Sequence, residues 1–191
     1  MAKAKKSGKI IVTHSANFHP DDVCAVATLV YMLELEGFSL TAKDPAKKIK
    51  VIRTLEPQKF EDVADFIVDI GGKYEPKKRR FDHHQREGSG ARENGVKYAS
   101  FGLVWKEFGK KLAGTPYAAD WVDRHMVQSI DAGDNGAYLY KPILDDVSPF
   151  LFEEYIYAVC DTVKGDGASL KEFDNQFMRL IPIIKDVLRV F

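Results

Sequence analysis

The apolar positions of this 191-residue chain change period from one stretch to the next, and the changes outline its elements. Lys9-Ile-Ile-Val-Thr13 is a short β-branched run that suits a strand buried on both faces. Pro20 then opens a helix, because proline is favoured at the first helical position. Asp21 and Asp22 fall in its first turn, where the helix dipole favours anions. Val23, Val26, Ala27, Val30 and Leu33 follow at helical spacing until Gly37 stops the run. Residues 50–54 and 66–70 read as two further strands, the second carrying Asp69 ahead of Gly71-Gly72, and residues 79–83 read as a fourth, shorter one. Strands alternating with helices predict an α/β domain with a mainly parallel sheet. In such sheets ligands bind at the C-terminal ends of the strands, and the polar residues gather there.

Residues 86–95 are rich in glycine and charge and read as a loop. Ser100 is expected to N-cap a helix with Phe101, Val104, Trp105, Phe108 and Leu112 on its apolar face. A helix over residues 116–130, with Ala119, Val122, Met126 and Ile130 inside, should empty into the turn Asp131-Ala-Gly-Asp-Asn-Gly136. Phe152, Ile156, Val159 and Val163 mark another helix. Ser169 and Glu172 form a capping box before a last one, with a kink expected at Pro182. The expected architecture is a three-layer α/β sandwich over residues 9–136, with a disordered basic tail at 1–8 and a helical C-terminal segment at 137–191.

Composition narrows the function classes only a little. Hydrophobic residues at 45% and charged residues at 29% are ordinary for a globular protein. Lys+Arg and Asp+Glu are equal at 28 each, so net charge supplies no general pull toward nucleic acid. Cys24 and Cys160 form no CxxC pair, which predicts two free thiols and a reducing compartment. No apolar run approaches the roughly 18 residues of a transmembrane helix, and no secretory apolar region follows the basic start. A cytoplasmic protein is the expectation, with no membrane partner.

The candidate chemistry lies in the histidines. Of five in the chain, His83 and His84 follow Asp82, while His14 and His19 sit with Asp21 near the start. Four polar clusters thus fall at predicted element ends: His14…His19-x-Asp21, Asp69, Asp82-His83-His84, and Asp131. Each alone has a plain structural explanation, Asp21 as a helix-start charge and Asp131 as a turn residue. Mixed histidine and carboxylate ligands without thiolate suit manganese, iron or zinc. A single carboxylate can bridge two ions roughly 3.5–4 Å apart, the arrangement of two-metal hydrolases.

Thr13-His-Ser-Ala-Asn-Phe-His-Pro-Asp-Asp22, Val68-Asp-Ile-Gly-Gly72, Phe81-Asp-His-His-Gln85, Tyr98-Ala-Ser-Phe-Gly-Leu-Val-Trp-Lys-Glu-Phe-Gly109 and Ile130-Asp-Ala-Gly-Asp-Asn-Gly136 occur in order. Together they resemble the melanocyte proliferating gene family, labelled metal-dependent protein hydrolases. That family is similar to the DHH phosphoesterases, named for the Asp-His-His motif. The resemblance implies that His14, His19 and Asp69 hold one divalent ion, and that Asp21, Asp69, His83 and Asp131 hold a second, with Asp69 bridging. His84 would face the substrate phosphate and Asp82 would support the histidines. Many DHH enzymes carry aspartate where this chain has His19. Manganese is the expected ion, with iron or zinc as alternatives.

The activity implied is two-metal hydrolysis of a phosphodiester, by an exonuclease working 3′–5′ on the end of single-stranded RNA or DNA. Two other readings stay open: a phosphoesterase acting on a small nucleotide, and a non-catalytic metal-binding interaction module. Family members are commonly longer, with a second domain that helps hold substrate, so the substrate-binding half is expected to be missing here or reduced to helices. The basic stretch of residues 77–92 is then the candidate for gripping a strand, through Arg86 and Arg92. Neutralising both is expected to weaken oligonucleotide turnover more than that of a small diester. His125 is given no role.

Overall fold

The computed structural model describes residues 8–137, 139–145, 147–163 and 169–191, so all of the expected basic tail except Gly8 lies outside the described residues. Five strands form one sheet: β1 (Lys9–His14), β2 (Ile49–Thr54), β3 (Phe66–Val68), β4 (Tyr74–Glu75) and β5 (Arg80–Phe81), in the order β2-β1-β3-β5-β4. β1 pairs in parallel with β2 and β3, and β3 with β5; β4 alone runs antiparallel, against β5. The mainly parallel α/β sheet is therefore as expected. The parallel strands have a direct functional consequence. The residues that end β1, β3 and β5 (His14, Asp69, and Asp82 with His83) are all delivered to the same edge.

Among the described residues six α-helices accompany the strands: α1 (Pro20–Leu35), between β1 and β2, then α2 (Ser100–Ala113), α3 (Pro116–Val122), α4 (Gln128–Asp134), α5 (Phe152–Asp161) and α6 (Leu170–Val190). α1 is buried almost all round, from Pro20 to Val30, because α2 and α6 pack against it while the sheet lies beneath. Phe66 and Phe81 of the sheet meet Phe108 of α2 edge-on, and Phe18 meets Phe177 of α6 in the same way. Fully buried Leu29, Leu103 and Phe177 belong to this one core, so the C-terminal helices share it with the sheet. At about 1.5–3 kcal/mol for each large apolar side chain buried, this layer dominates the hydrophobic stabilisation. On the other face of the sheet Val12 and Ile67 pack with Ala64 of the connection before β3 and with Phe60 of the short 3-10 segment Pro57–Phe60. Helical structure thus lies on both faces, as a thick layer and a thin one.

Two local expectations need correction. Ala99, not Ser100, is the N-cap of α2, so the Ser100 side chain turns inward instead of capping. Asp131 does not sit in a turn. After a π-helical segment, Asp123–Val127, the chain continues as α4 to Asp134 and holds Asp131 inside a helix. α6 runs through Pro182 as one element from its Ser169 cap to Val190. One connection ties the far helix to the strand ends. Arg53, its side chain 2% exposed, donates to the backbone oxygens of His14 and Ala16 and pairs with Asp174 of α6 at 2.9 Å. No helix among the described residues is long and apolar enough to cross a membrane. Cys24 and Cys160 are free and buried.

Candidate metal centre

The loop after β1 and the first turn of α1 bring His14, His19, Asp21 and Asp22 together. Asp22 accepts the backbone N–H of His19 at 3.0 Å, which closes the start of the helix and fixes the loop. Asp21 and Asp22 are both fully buried. Asp69 follows β3 with a left-handed backbone, φ 54°, a conformation aspartate tolerates better than most residues. Its two oxygens point to different histidines: Oδ2 lies 3.3 Å from His14 Nε2, and Oδ1 lies 3.3 Å from His83 Nε2. His83 Nε2 is also 3.1 Å from Asp134 and 3.7 Å from Asp21.

These contacts are close but badly directed. His14 Nε2 and Asp22 Oδ2 are 2.9 Å apart, yet neither makes an aligned hydrogen bond. The same is true of His83 Nε2 and Asp21 Oδ1, all buried atoms. Buried polar atoms without partners cost free energy, and they are rare unless something else meets them. Here three of the four residues, His14, Asp21 and His83, belong to groups whose ligand atoms lie close together. Three sets could each hold an ion with ligand atoms within 4.8 Å of one another: His14, His19 and Asp69; Asp69, His83 and His84; and His19, Asp21 and Asp134. The donor chemistry, imidazole plus carboxylate, fits a borderline or hard divalent ion.

Electrostatics point the same way. Burial pushes the Asp21 carboxyl well above the usual carboxylate range, and Asp69, Asp134 and Asp22 push it further. Burial would raise Asp69 too, but His14 and His83 override it and hold Asp69 well below its ordinary value. Burial opposes charge on His14, yet Asp22 and Asp69 outweigh it and raise the imidazole to about 11. Without an ion, then, the repulsion among the carboxylates is relieved by protons. A divalent cation would relieve it more completely.

His84 differs from its neighbour. Its Nδ1 is 2.7 Å from Asp82 Oδ1, its backbone N–H donates to the same oxygen, and its side chain is 60% exposed. The Asp82 hydrogen bond is the largest cause of the raised His84 pKa. Asp82 is held in turn by the Gly72 N–H at 2.5 Å, an approach that needs the left-handed turn at Gly71 and Gly72. Asp82 therefore fixes His84 with its free nitrogen directed outward.

Of the expected ligands, His14, His19, Asp21, Asp69 and His83 are brought together. Asp131 is not. Its carboxylate, fully buried, accepts the Gly102 N–H at 2.9 Å and pairs with Arg92 at 2.8 Å. Asp134, one helical turn further on, occupies the place foreseen for it. Arg92 likewise departs from expectation. Its side chain is 7% exposed, held by Asp123 and Asp131, so it braces the loop from beneath and does not offer itself to solvent. Arg86 is exposed as expected. Ser100 was not foreseen as a site residue: its hydroxyl donates to Asp69 Oδ1 at 2.9 Å, and its N–H points to Asp21 Oδ2 at 3.3 Å. The start of α2 thus supplies donors to two site carboxylates, Asp69 and Asp21, and through the Gly102 N–H to Asp131 outside the site. Ser100→Ala should weaken divalent-ion affinity by about 10–100-fold, as loss of a group behind the ligands does, in a metal titration of the purified protein.

The family model described as MYG1_exonuc, uncharacterised protein family (UPF0160), matches residues 10–189. The chain belongs to this family, the melanocyte proliferating gene family. It is similar to a mouse protein named MYG1 exonuclease, 30% identical over 184 residues, which cover 87% of this chain and 43% of the mouse one. A bovine MYG1 exonuclease is 32% identical over 146 residues, 66% of this chain and 35% of that protein. The Saccharomyces cerevisiae MYG1 protein YER156C is 29% identical over 201 residues, 95% of this chain and 56% of its own length. The chain thus spans roughly a third to a half of these relatives. The names of the two mammalian relatives mark a nuclease family. No solved structure matches.

Proposed function

We propose that this chain is a divalent-metal-dependent phosphodiesterase that removes nucleotides from the end of an RNA or DNA strand. The observation carrying the reading is the set of buried histidine and carboxylate atoms that converge without hydrogen-bonding one another. His14, His19 and Asp69 would hold one ion; Asp21, Asp69, His83 and Asp134 would hold the other, with one Asp69 oxygen toward each. Two manganese ions in these positions would supply Lewis acidity to a phosphoryl oxygen and acidify the attacking water. His84, oriented by Asp82 and raised in pKa, donates a proton or hydrogen bond to the phosphoryl group or leaving oxygen. Ser100 keeps Asp69 in its two-sided orientation. The exonuclease names of the mammalian relatives favour a nucleic-acid end as substrate.

An end-labelled single-stranded oligonucleotide with manganese tests this directly. It should shorten one nucleotide at a time, while the same strand circularised stays intact. Cleavage of the circle would replace the exonuclease reading with an endonuclease one.

The protonation of His14 gives a second check. A histidine ligand must be neutral, so ion uptake expels the His14 proton, and affinity should fall about tenfold for each unit of acidification per proton displaced. In the metal-free protein the sign is opposite. A pKa raised from 6.5 to about 11 gives stability that is complete below 6.5 and lost as pH rises through 11. The Tm of chelator-treated protein should therefore fall between pH 7 and 11, while that of manganese-loaded protein should not follow it.

A further inference from the structure

Beside the metal centre, the wall carrying His83 opens into a cleft of about 450 Å³. Its outer wall is the glycine-rich loop that follows His84, and that loop is a built ribbon. Ala91 bridges to Lys97 in antiparallel fashion, the Arg92 N–H donates to Val96 O at 2.9 Å, and the Tyr98 N–H donates to Gly90 O at 3.1 Å. The Ser89 hydroxyl donates to Tyr98 O, and Arg92 is anchored below to buried Asp131. Backbone and anchor together hold the cleft in shape.

Two cations line this cleft, Arg86 and Lys97, both exposed. Neither makes a hydrogen bond or ion pair among the described residues, whereas Lys73, Lys78, Arg80 and Arg92 nearby are all paired. Gln85, Ser89 and Asn135 add neutral polar groups, and Glu87 is the one carboxylate in the lining. The aromatic residue of the lining, Tyr98, has its ring covered by the Arg92 guanidinium at 4.3 Å and by the Lys106 ammonium at 4.7 Å. The free cations and neutral polar groups of the cleft suit a phosphate and its sugar.

We propose that this cleft is a subsite for the phosphate one nucleotide away from the scissile one, bound by Arg86 and Lys97. The proposal rests on the phosphodiesterase reading and sets its substrate class: strands that present two consecutive phosphates.

The first test is binding, which needs no catalysis. A labelled single-stranded oligonucleotide is titrated against the chelator-treated full chain at several salt concentrations. Because each phosphate neutralised on a single strand contributes about 0.7 to the slope of log K against log salt, R86Q/K97Q, which frees one phosphate, should lower that slope by about 0.7. Lys78→Gln, whose lysine pairs with Glu75 outside the cleft, serves as the control and should leave the slope alone. The second test compares kcat/KM, with manganese, on a dinucleoside monophosphate and a trinucleoside diphosphate. Two lost charge-assisted hydrogen bonds should make the double variant's loss about tenfold or more greater on the second substrate. An unchanged slope, or equal losses on both substrates, overturns the subsite. Wild-type protein that binds with the expected slope but turns over neither substrate overturns the phosphodiesterase reading and leaves the phosphate cleft standing.

Discussion

Asp69→Asn is expected to lower nucleotide release by about a hundredfold or more and to reduce binding at both ion positions at once. Loss of a group that merely orients a ligand costs about 10–100-fold, and Asp69 stands in front of such groups. Its two oxygens face His14 and His83 on opposite sides, each at 3.3 Å, and Ser100 holds one of them. Asparagine keeps one oxygen and replaces the other with a donor, so it can serve at most one ion. It also removes the charge that both proposed ions would share. The substitution is conformationally mild, because asparagine tolerates the left-handed backbone of this position about as well as aspartate. A folded variant by circular dichroism is therefore expected, with its ion content reduced by more than one position's worth. Full ion content in that folded variant would remove Asp69 from the bridging role.

The second large effect separates two aspartates that lie one helical turn apart. Asp131→Ala should cost about 3 kcal/mol of folding free energy, the lower end for breaking a buried ion pair, since Asp123 still holds Arg92. It leaves the Gly102 N–H and part of the guanidinium unpartnered inside the protein. Asp134→Asn should change stability by less than about 1 kcal/mol, as a partly exposed substitution does, but should cut ion content and turnover. Urea unfolding and metal analysis on both variants make the comparison. If Asp131→Ala loses ions without losing stability, Asp131 is the ligand after all.

That pair shows where sequence reading stops. β1 and α1 were legible because a β-branched run followed by a proline and two acids has few other meanings. The convergence of His14, Asp69 and His83 follows once the strands are parallel. Asp131-Ala-Gly-Asp-Asn-Gly136 read as a turn because glycine there suggests a helix stop. In the fold Gly133 is helical and answers a different need: a Cβ on it would come within 2.5 Å of the Glu153 carboxylate. Gly102 is similar, since its Cβ would fall on the Asp131 carboxylate. Both glycines record close approaches between elements distant in sequence, and no local pattern distinguishes that from a turn. Arg92 misled for the same reason. Within a glycine-rich, charged loop it reads as solvated, and only the packing of the π segment beneath reveals its two carboxylate partners. Ser100 resembled a cap because caps and ligand-orienting hydroxyls occupy the same place at a helix start.

The most direct measurement of the central claim is an ion titration read by turnover. Protein stripped by chelation is refilled with manganese in known increments, and nucleotide release from a single-stranded oligonucleotide is measured at each step alongside bound metal. No release is expected from the stripped protein, then a rise with loading and a plateau at two ions per chain. Release that persists without metal, or none from protein carrying its full complement, would contradict the central claim.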